Sequence, residues 1–393
     1  MKVLIAHIAY EQRGGEDVVV ETEARLLREA GHDVSLLVVS SSRFRDLSRF
    51  EQTRIALKMD DHTYGRALIR AAIEEHRPEI VHFHNLYPLL GPGAIAEAAS
   101  LGCATVQTFH NYRLSCIAGT HFRNGEVCER CRPGHHGAGV ARGCYRGSRM
   151  QSLAMACGVT QQWRCLIKEG LPHVALCLTD FMRDRLIGLS APGDALVVKP
   201  NSVEVGGRAG WDNRAGVVFV GRLSEEKGIA ELLDRWTRDM PELRVIGDGP
   251  LYHLVRQRCD ERPNVRLVGR LDAEGVRKEI ACARALVFPS RCWEGLPLVV
   301  LEALAEGTPV VAFALGAMTL LEQVSPELLV SYELGAAALG GAAARVCLLP
   351  GTRWAELSSR VVGLHEVAYS HEASIGALEA VYAGLVFRGA DHV

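Results

Sequence analysis

Two glutamates, eight residues apart in the stretch 289–312, are the residues of this chain best suited to bind a ligand. Residues 284–288 form a short apolar run that predicts a strand, Pro289 ends it, and residues 296–305 predict a helix with Pro297 in its first turn. Glu294 lies on the intervening loop and Glu302 on the helix. A helix N-terminus favours phosphate, and carboxylates accept hydrogen bonds from sugar hydroxyls. The stretch therefore indicates a nucleotide-diphosphate-sugar site, although many α/β proteins carry two glutamates in such a unit.

A glycine-flanked turn at residues 221–228, GRLSEEKG, supplies the cations that such a ligand needs. It follows the apolar run VVFV directly, so we expect a strand-to-helix turn. Arg222 and Lys227 can reach one diphosphate from this turn, whereas in isolation they would be read as a solvated basic pair. Asp248-Gly249 and Gly269-Arg270 end the next two predicted strands, and we expect them to line the nucleotide base.

The first half of the chain has polar residues and glycines at the ends of its own predicted strands. Gly14-Gly15 follows the first strand and precedes a helix, and paired glycines let a ligand approach the backbone closely. His84 and His110 each end a buried strand, in VHFHN and TFHNYR. A single histidine in such a place is usually structural. Two of them, with Asn111 beside the second, favour a binding site at this edge of the sheet.

The elements that position these residues repeat the same order in both halves. At 393 residues the chain is long enough for two domains, and 48% hydrophobic with 23% charged residues is typical of a globular protein. Continuous apolar strands alternating with helices predict parallel sheets covered on both faces, with ligands at the carboxyl ends of the strands. The predicted strands are 3–9, 33–39, 80–83, 104–109, 216–220, 243–246 and 265–268, and the helices 16–30, 93–100 and 228–236. A linker is expected within 179–203 and an amphipathic helix over 372–385.

The pattern E-G-x-P-x-x-x-x-E after P-S, together with G-R-L-x-x-x-K-G and the strand-end histidines, resembles the retaining glycosyltransferases of family four. The resemblance implies the α/β GT-B fold, in which two doubly wound Rossmann-like domains face a central cleft. It implies an acceptor-side domain over 1–190, with a cysteine-rich insertion at 113–147, and a nucleotide-sugar domain over 191–368. The last helix, 369–393, is then expected to cross back to the N-terminal domain.

The same resemblance implies roles for individual residues. Arg222 and Lys227 would bind the diphosphate, Glu302 the ribose, Glu294 the transferred sugar, and His110 the donor sugar. Further donor contacts are expected from the glycine loop, the base-lining residues and the backbone at the start of the helix: Gly14, Gly15, Asp248, Gly249, Arg270, Gly295, Leu296 and Leu298. His84 and Asn111 are expected on the acceptor side.

The implied activity is transfer of a hexose-type sugar from a nucleotide-diphosphate sugar to an acceptor hydroxyl with retention of configuration, and UDP is the commonest donor nucleotide in the family. The acceptor would be a glycan, a lipid-linked or a small molecule, in polysaccharide, glycolipid or other glycoconjugate synthesis. No catalytic metal is expected. The alternatives are a GT-B epimerase, which needs no acceptor; a phosphorylase, which needs pyridoxal phosphate; and a non-catalytic sugar-nucleotide-binding protein.

Four of the twelve cysteines are spaced as metal ligands. They are Cys116, Cys128, Cys131 and Cys144. A C-x-x-C pair with two flanking cysteines predicts a structural zinc site, because the polar segment between them has little with which to build a core. Unlinked thiols and redox-active pairs are the alternatives. A catalytic zinc is disfavoured, since four thiolates leave no open coordination position.

Charge and apolar runs set expectations for partners and location. A net charge of −2 argues against a nucleic-acid partner. The N-terminal apolar run is short and continues into Glu11-Gln12-Arg13, so we read it as a strand rather than a signal peptide and expect a cytoplasmic protein. A basic stretch at Arg43, Arg45, Arg49, Arg54 and Lys58 is interpreted as solvated surface, with peripheral contact to an anionic membrane at its inner face as the alternative.

Overall fold

The computed structural model describes residues 1–11, 13–48, 51–52, 55, 63–205 and 213–390. The chain divides into two compact units. Unit 1 consists of Met1–His121, Cys128–Asn201 and Ser374–Val393, and unit 2 of Phe122–Val127 and Ser202–Ala373. Each unit is built on a six-stranded sheet. The predicted α/β class with two Rossmann-like domains is therefore confirmed.

The sheet of unit 1 is parallel throughout, with strand order β2-β1-β3-β4-β7-β8. Its strands are β1 (Lys2–Ala9), β2 (Asp33–Ser40), β3 (Ile80–Phe83), β4 (Ala104–Phe109), β7 (Val174–Cys177) and β8 (Leu196–Val198). Strand order reverses between β1 and β3, and the crevice at such a reversal is where doubly wound sheets bind ligands. The loops that follow these two strands carry Gly14 and His84.

Helices cover both faces of this sheet, because its strands are apolar on both sides. They are α1 (Gly15–Glu29), α2 (Arg43–Asp46), α3 (Thr63–His76), α4 (Gly91–Ser100), α5 (Gly137–Arg142), α6 (Arg149–Arg164), continued by a π-helical turn at Cys165–Glu169, and α7 (Asp180–Ile187). One core is formed between α3, α4, α6 and the sheet, and a second between α1 and the opposite face.

The sheet of unit 2 is also parallel, with order β11-β10-β9-β12-β13-β14. Its strands are β9 (Val217–Val220), β10 (Leu243–Ile246), β11 (Val265–Gly269), β12 (Ala285–Phe288), β13 (Val310–Phe313) and β14 (Leu329–Val330); a small hairpin, β5 (Phe122–Arg123) and β6 (Glu126–Val127), is grouped with this unit. Counted within the unit this is the 3-2-1-4-5-6 order of dinucleotide-binding folds, which reverses between β9 and β12. Its helices are α8 (Ile229–Arg235), α9 (Tyr252–Asp260), α10 (Ala273–Ala281), α11 (Leu298–Ala305), α12 (Gly335–Cys347) and α13 (Gly351–Ala368).

The chain passes from unit 1 to unit 2 after Asn201, eleven residues later than the predicted boundary at 190/191. The difference arises from β8, which lies inside the predicted linker but pairs in parallel with β7 and so completes the sheet of unit 1. The predicted insertion at 113–147 is also divided, because its hairpin groups with unit 2.

The last helix, α14 (His371–Ala390), belongs to unit 1 from Ser374 onward. Leu378 and Tyr382 are fully buried in the same core as Val3 and Leu27. Among the described helices, none alone is both long and apolar enough to cross a membrane, and one bent helix pair passes a test of length and composition.

Candidate functional site

In unit 2 the two predicted donor motifs lie on the loops after β9 and β12, the two strands at which the sheet order reverses. Gly228 lets these loops meet. It has φ +68, and a Cβ at this position would come within 2.1 Å of the Pro289 carbonyl oxygen. The Arg291 N–H donates to the Glu226 carbonyl at 2.8 Å, which joins the loops from the other side. Backbone contact between the loops therefore fixes the side chains that they carry.

Lys227 and Glu294, predicted from separate motifs, form an ion pair. Glu294 Oε1 also accepts a hydrogen bond from Ser290 Oγ at 2.6 Å, and the Cys292 thiol lies 3.6 Å away. The lysine side chain is 24% exposed and the glutamate 17%, so the pair is open to a ligand on one side. The structure thus brings a cation and a carboxylate to one point of the crevice.

The two charges stabilise each other. Burial alone would raise the pKa of Glu294, but Lys227 and the hydrogen bond from Ser290 outweigh it and the pKa is lowered. Burial would likewise lower the pKa of Lys227, but Glu294, with Cys292 and Glu226, raises it. Both groups are therefore charged over the physiological pH range.

The helix that carries Glu302 begins later than predicted. Pro297 is extended, with ψ 128°, and acts as the N-cap, so that α11 starts at Leu298 instead of residue 296. Proline has no polar side chain that could accept from the first N–H groups of the helix, those of Leu298 and Val299, whereas the N–H of Val300 donates to the Pro297 carbonyl oxygen at 3.1 Å. Glu302 lies one turn further on, partly buried, and burial raises its pKa while Arg277 opposes the shift.

The other predicted donor residues lie at the ends of neighbouring strands. Arg222, Asp248 and Arg270 are exposed directly after β9, β10 and β11. Gly249 is sterically required, because a Cβ there would be 2.5 Å from the Leu223 carbonyl oxygen. Gly295 is partly exposed and Leu296 is buried on the loop before α11.

Sequence reasoning missed Arg291, which lies between Ser290 and Cys292. Its guanidinium donates to Glu231 Oε1 at 2.6 Å and to the carbonyl oxygen of Gly125 in the β5–β6 hairpin. The Tyr332 hydroxyl donates to the same carbonyl at 3.3 Å. Pro289-Ser290 was used only as the end of a strand in the sequence analysis, and Arg291 was given no role. Nothing in the sequence links residue 125 to residue 291.

In unit 1 the predicted acceptor-side residues gather around Glu16, which sequence reasoning did not single out. Its carboxylate accepts from Asn111 Nδ2 at 3.0 Å and from the Tyr10 hydroxyl at 2.9 Å. Gly14 precedes α1, and its N–H donates to Asp17 Oδ2 at 2.7 Å. A Cβ on Gly14 would meet only ordinary contacts, at 3.8 Å or more, so the protein itself does not require glycine there. Gly15 begins α1 and is exposed.

A small cavity of about 40 Å³ lies beside these groups, with room for a hydroxyl group or a few waters rather than for a whole sugar. Most of its lining residues have polar side chains, and they come from the end of β4 and the loops after β3 and β4, with contributions from α1 and α6. The lining residues are Glu16, His84, Asn85, Leu86, Tyr87, Gln107, Thr108, Phe109, His110, Asn111, Arg113, Leu114 and Gln162.

His84 and His110 are brought together as a stacked pair. Their rings are 5.1 Å apart, and His84 Nδ1 lies 2.8 Å from His110 Nε2, a hydrogen-bond distance. Burial lowers the pKa of both imidazoles, and the neighbouring histidines lower that of His84 further. The pair is therefore neutral near pH 7.

A buried ion pair, Glu23 with Lys199, lies behind these histidines and was not predicted. The sequence did contain a sign that Glu23 is buried. Glu23 stands four residues after Val19, three after Val20 and four before Leu27, on the buried face of α1. Lys199 directly follows β8 and is 1% exposed. A charged residue on an apolar stripe is buried only when it has a partner.

No disulfide joins the four spaced cysteines or the other eight, all of which lie in the described part of the chain. Burial raises the pKa of the Cys131 thiol, and Cys116, Cys144 and Cys128 raise it further through their charges. The Gly139 N–H donates to the same sulfur. Among the described residues, the group of candidate ligands that lie within 4.8 Å of one another is Glu23, His82 and His84, which does not include these cysteines. The thiols therefore share one region without the close spacing of a formed tetrahedral site.

Of the predicted basic stretch, Arg43 and Arg45 are exposed on and around α2, and Arg45 pairs with Glu11. Arg49, Arg54 and Lys58 lie outside the described residues.

Comparison with known proteins gives two family matches. Residues 214–347 match the model of glycosyl transferases group 1, and residues 13–130 match that of Glycosyltransferase Family 4. The putative teichuronic acid biosynthesis glycosyltransferase TuaC of Bacillus subtilis is 36% identical over 106 residues, which span 26% of this chain and 26% of that protein. The chain thus aligns with only about a quarter of this curated relative's length.

Two solved structures match over nearly the whole chain. Sucrose-phosphate synthase from Thermosynechococcus elongatus superposes with a TM-score of 0.69 at 17% identity, covering 98% of this chain and 99% of the other. Anabaena HepE, in complex with UDP-glucose, superposes with a TM-score of 0.66 at 14% identity, covering 98% and 100%. At these identities the likeness establishes the fold.

The two family matches together span more than half of the chain and fall on both Rossmann-like units, where they include the glycine loop, both strand-end histidines and the two donor motifs. The chain belongs to the family-four glycosyltransferases of GT-B fold.

Proposed function

We propose that this glycosyltransferase moves a hexose-type sugar from a nucleotide-diphosphate sugar, UDP-linked, to an acceptor hydroxyl with retention of configuration. The observation that carries the proposal is the pairing of Lys227 with Glu294 at the strand-order reversal of unit 2. The pair offers a cation to a diphosphate and a carboxylate to sugar hydroxyls in one place. The HepE complex, whose ligand is UDP-glucose, supports the choice of donor.

In this proposal Arg222 and Lys227 hold the diphosphate and stabilise the charge that develops as it departs. Glu302 accepts hydrogen bonds from the ribose and Glu294 from the transferred sugar, while the N–H groups of Leu298 and Val299 at the start of α11 face phosphate. Asp248, Gly249 and Arg270 line the base. His110 contacts the donor sugar, and His84 and Asn111 belong to the acceptor side.

The reaction is a front-face displacement. The bond from the anomeric carbon to the phosphate oxygen breaks, a bond to the acceptor oxygen forms on the same face, and the hydroxyl proton passes to the leaving diphosphate. The protein contributes positioning and charge stabilisation, and no catalytic metal takes part. The acceptor is a glycan, a lipid-linked or a small molecule of polysaccharide or glycoconjugate synthesis, a proposal supported by the name of the relative TuaC, a putative teichuronic acid biosynthesis glycosyltransferase.

Calorimetric titration with UDP, GDP, ADP and their hexose conjugates tests the donor site. We expect the UDP compounds to bind most tightly, and Lys227→Met to weaken UDP binding at least about tenfold, because a charge-assisted contact to the diphosphate is lost. Lys278→Met is the matched control, since Lys278 pairs with Glu274 on the exposed face of α10. Equal affinity of the two variants for UDP would place the diphosphate elsewhere.

We also propose that Cys116, Cys128, Cys131 and Cys144 hold a structural zinc ion. The support is the C-x-x-C spacing together with the electrostatic interaction of Cys131 with the other three thiols and the N–H donated to its sulfur by Gly139. Four neighbouring thiolates repel one another, and a divalent cation removes that repulsion. The ion would order the polar segment that these cysteines enclose.

Elemental analysis of protein purified under reducing conditions tests the zinc proposal. We expect about one zinc per chain, lost in Cys128→Ser and kept in Cys157→Ser, whose thiol is exposed on α6. Wild-type protein that takes up no zinc from a zinc-containing buffer would contradict the proposal.

A further inference from the structure

A chain of buried polar groups in unit 1 runs from Glu23 on α1 through His84 to His110, and the proposed function gives Glu23 no role. Glu23, on α1, is 3% exposed, and His84, directly after β3, is 2% exposed. His110 follows β4 and lines the cavity. Burying these groups without a function would cost stability, so their arrangement calls for a physical reason.

The first group, Glu23, is a carboxylate. Its Oε1 pairs with the ammonium of Lys199, which is itself 1% exposed. Burial would raise the pKa of Glu23, but the charge and hydrogen bond of Lys199, aided by His82, lower it instead. Its second oxygen, Oε2, is buried and has no hydrogen-bond partner among the described residues.

The second group, His84, faces that oxygen. Its Nε2 lies 3.5 Å from Glu23 Oε2 and likewise has no other partner among the described residues. Its Nδ1 is 2.8 Å from His110 Nε2. Burial and the nearby His82, His110, His7 and Lys199 keep this imidazole neutral, so it carries a single N–H.

The nitrogen on which His84 carries its proton determines the nitrogen on which His110 carries its own. If it were on Nδ1, a lone pair on Nε2 would face the carboxylate of Glu23, and two acceptors would oppose each other in a buried site. A proton on Nε2 would instead be attracted by the carboxylate of Glu23, whose Oε2 lies 3.5 Å away. The lone pair of His84 Nδ1 must then accept from His110, which places the proton of His110 on Nε2.

We infer that Glu23, acting through His84, holds His110 in the neutral Nε2–H tautomer and leaves His110 Nδ1 as a hydrogen-bond acceptor. Resting on the proposed function, this makes Glu23 and His84 positioning residues for a histidine that accepts from a sugar or acceptor hydroxyl. Besides Glu23, the charged or titratable groups that act on His110 are Glu16, His7 and Lys199.

A metal ion is the competing use of this cluster, since Glu23, His82 and His84 lie within ligand distance of one another. Two observations oppose it. Both ring nitrogens of His82 are already engaged at 2.8 Å, one with the Tyr382 hydroxyl and one with Thr108 Oγ1. The ammonium of Lys199 lies on the carboxylate that a cation would need.

Long-range ¹H–¹⁵N correlation spectra of the full chain, labelled with ¹⁵N-histidine, test the inference at pH 7 without any substrate. Signals are assigned from His84→Gln and His110→Gln. We expect His84 and His110 to be neutral and both protonated on Nε2. Addition of Zn²⁺ or Mn²⁺ should leave their signals unchanged, and a sample with chelator is the control. A wild-type His110 protonated on Nδ1, or a metal bound at this cluster, would overturn the inference.

The double variant Glu23→Gln/Lys199→Met tests the cause of the tautomer and leaves no lone buried charge. An amide nitrogen at position 23 can donate to His84 Nε2, so we expect the Nδ1–H form of His110 to become populated. A folded double variant in which His110 remains wholly Nε2–H would refute the role of Glu23. Because these spectra need no donor, failure of the proposed transfer reaction would leave their outcome unaffected.

Discussion

Glu294 is a single residue around which the fold assembles a charged partner and a hydrogen-bond donor. Its carboxylate receives Lys227 from one loop and Ser290 from its own, so charge and hydrogen bonding are in place before a ligand arrives. Such preorganisation is what positions reacting groups at low reorganisation cost. In unit 1 the corresponding carboxylates are Glu16, which lines the cavity, and Glu23, which lies behind it.

The buried histidines predict how stability depends on pH. Burial lowers the pKa of His82 to about 4, and it also lowers those of His84 and His110. The unfolded chain, with pKa values near 6.5, then binds more protons than the folded chain between about pH 6.5 and 4. The free energy of unfolding should therefore fall as the pH drops through this window, by up to about 1.4 kcal/mol per unit for each histidine.

Urea denaturation at several pH values from 7.5 to 5 measures this slope. His82→Gln should flatten this slope, because a buried imidazole that resists protonation is gone; His253→Gln, at the start of α9 in unit 2, is the matched control for the substitution itself. A wild-type stability that is constant or rises on acidification would contradict the prediction.

At the scale of elements, the two loops that meet at Gly228 determine the geometry of the donor side. The backbone of one loop lies so close to Pro289 that no side chain fits between them. Contact of this kind explains why Lys227 reaches Glu294 although 67 residues separate them in sequence.

Gly228→Ala should destabilise unit 2 and weaken donor binding together. The φ of +68 alone costs an alanine about 1–2 kcal/mol, and the collision with the Pro289 carbonyl must also displace a loop. Gly269→Ala separates backbone strain from steric collision. Gly269 also has a positive φ, +87, but there is open space around its Cβ position. Thermal unfolding should show a larger loss for Gly228→Ala, and equal losses would mean that the loops need not touch.

The class of the fold and the central strands of both sheets followed from the sequence, because a continuous apolar run such as VVFV is typical of a buried parallel strand, whereas Val174–Cys177 and Leu329–Val330 were not predicted. The wrong element boundaries arose where only a few residues carried the pattern. Leu196–Val198 was taken for linker because three residues carry little periodicity, and Pro297 was placed inside the helix it precedes. Glu23 and Lys199 were missed since their pairing spans 176 residues of sequence.

At the scale of the whole molecule, two Rossmann-like units each have a strand-order reversal, and each reversal carries a polar cluster. Most of the residues predicted to bind the donor lie in unit 2 and the two strand-end histidines in unit 1, and the proposed function assigns the nucleotide-sugar to unit 2 and the acceptor to unit 1. Sequence motifs located both clusters. They did not identify the acceptor, because its contacts depend on side chains that no motif specifies.

Transfer itself is the most direct test of the account. The protein is incubated with UDP-hexoses and a panel of glycan, lipid-linked and small hydroxyl acceptors, and released UDP is compared with glycoside formed. We predict one glycoside per UDP only when acceptor is present, and a loss of at least about 100-fold in Glu294→Gln, with Glu274→Gln unaffected. UDP release without acceptor or glycoside, or full activity in Glu294→Gln, would contradict the account.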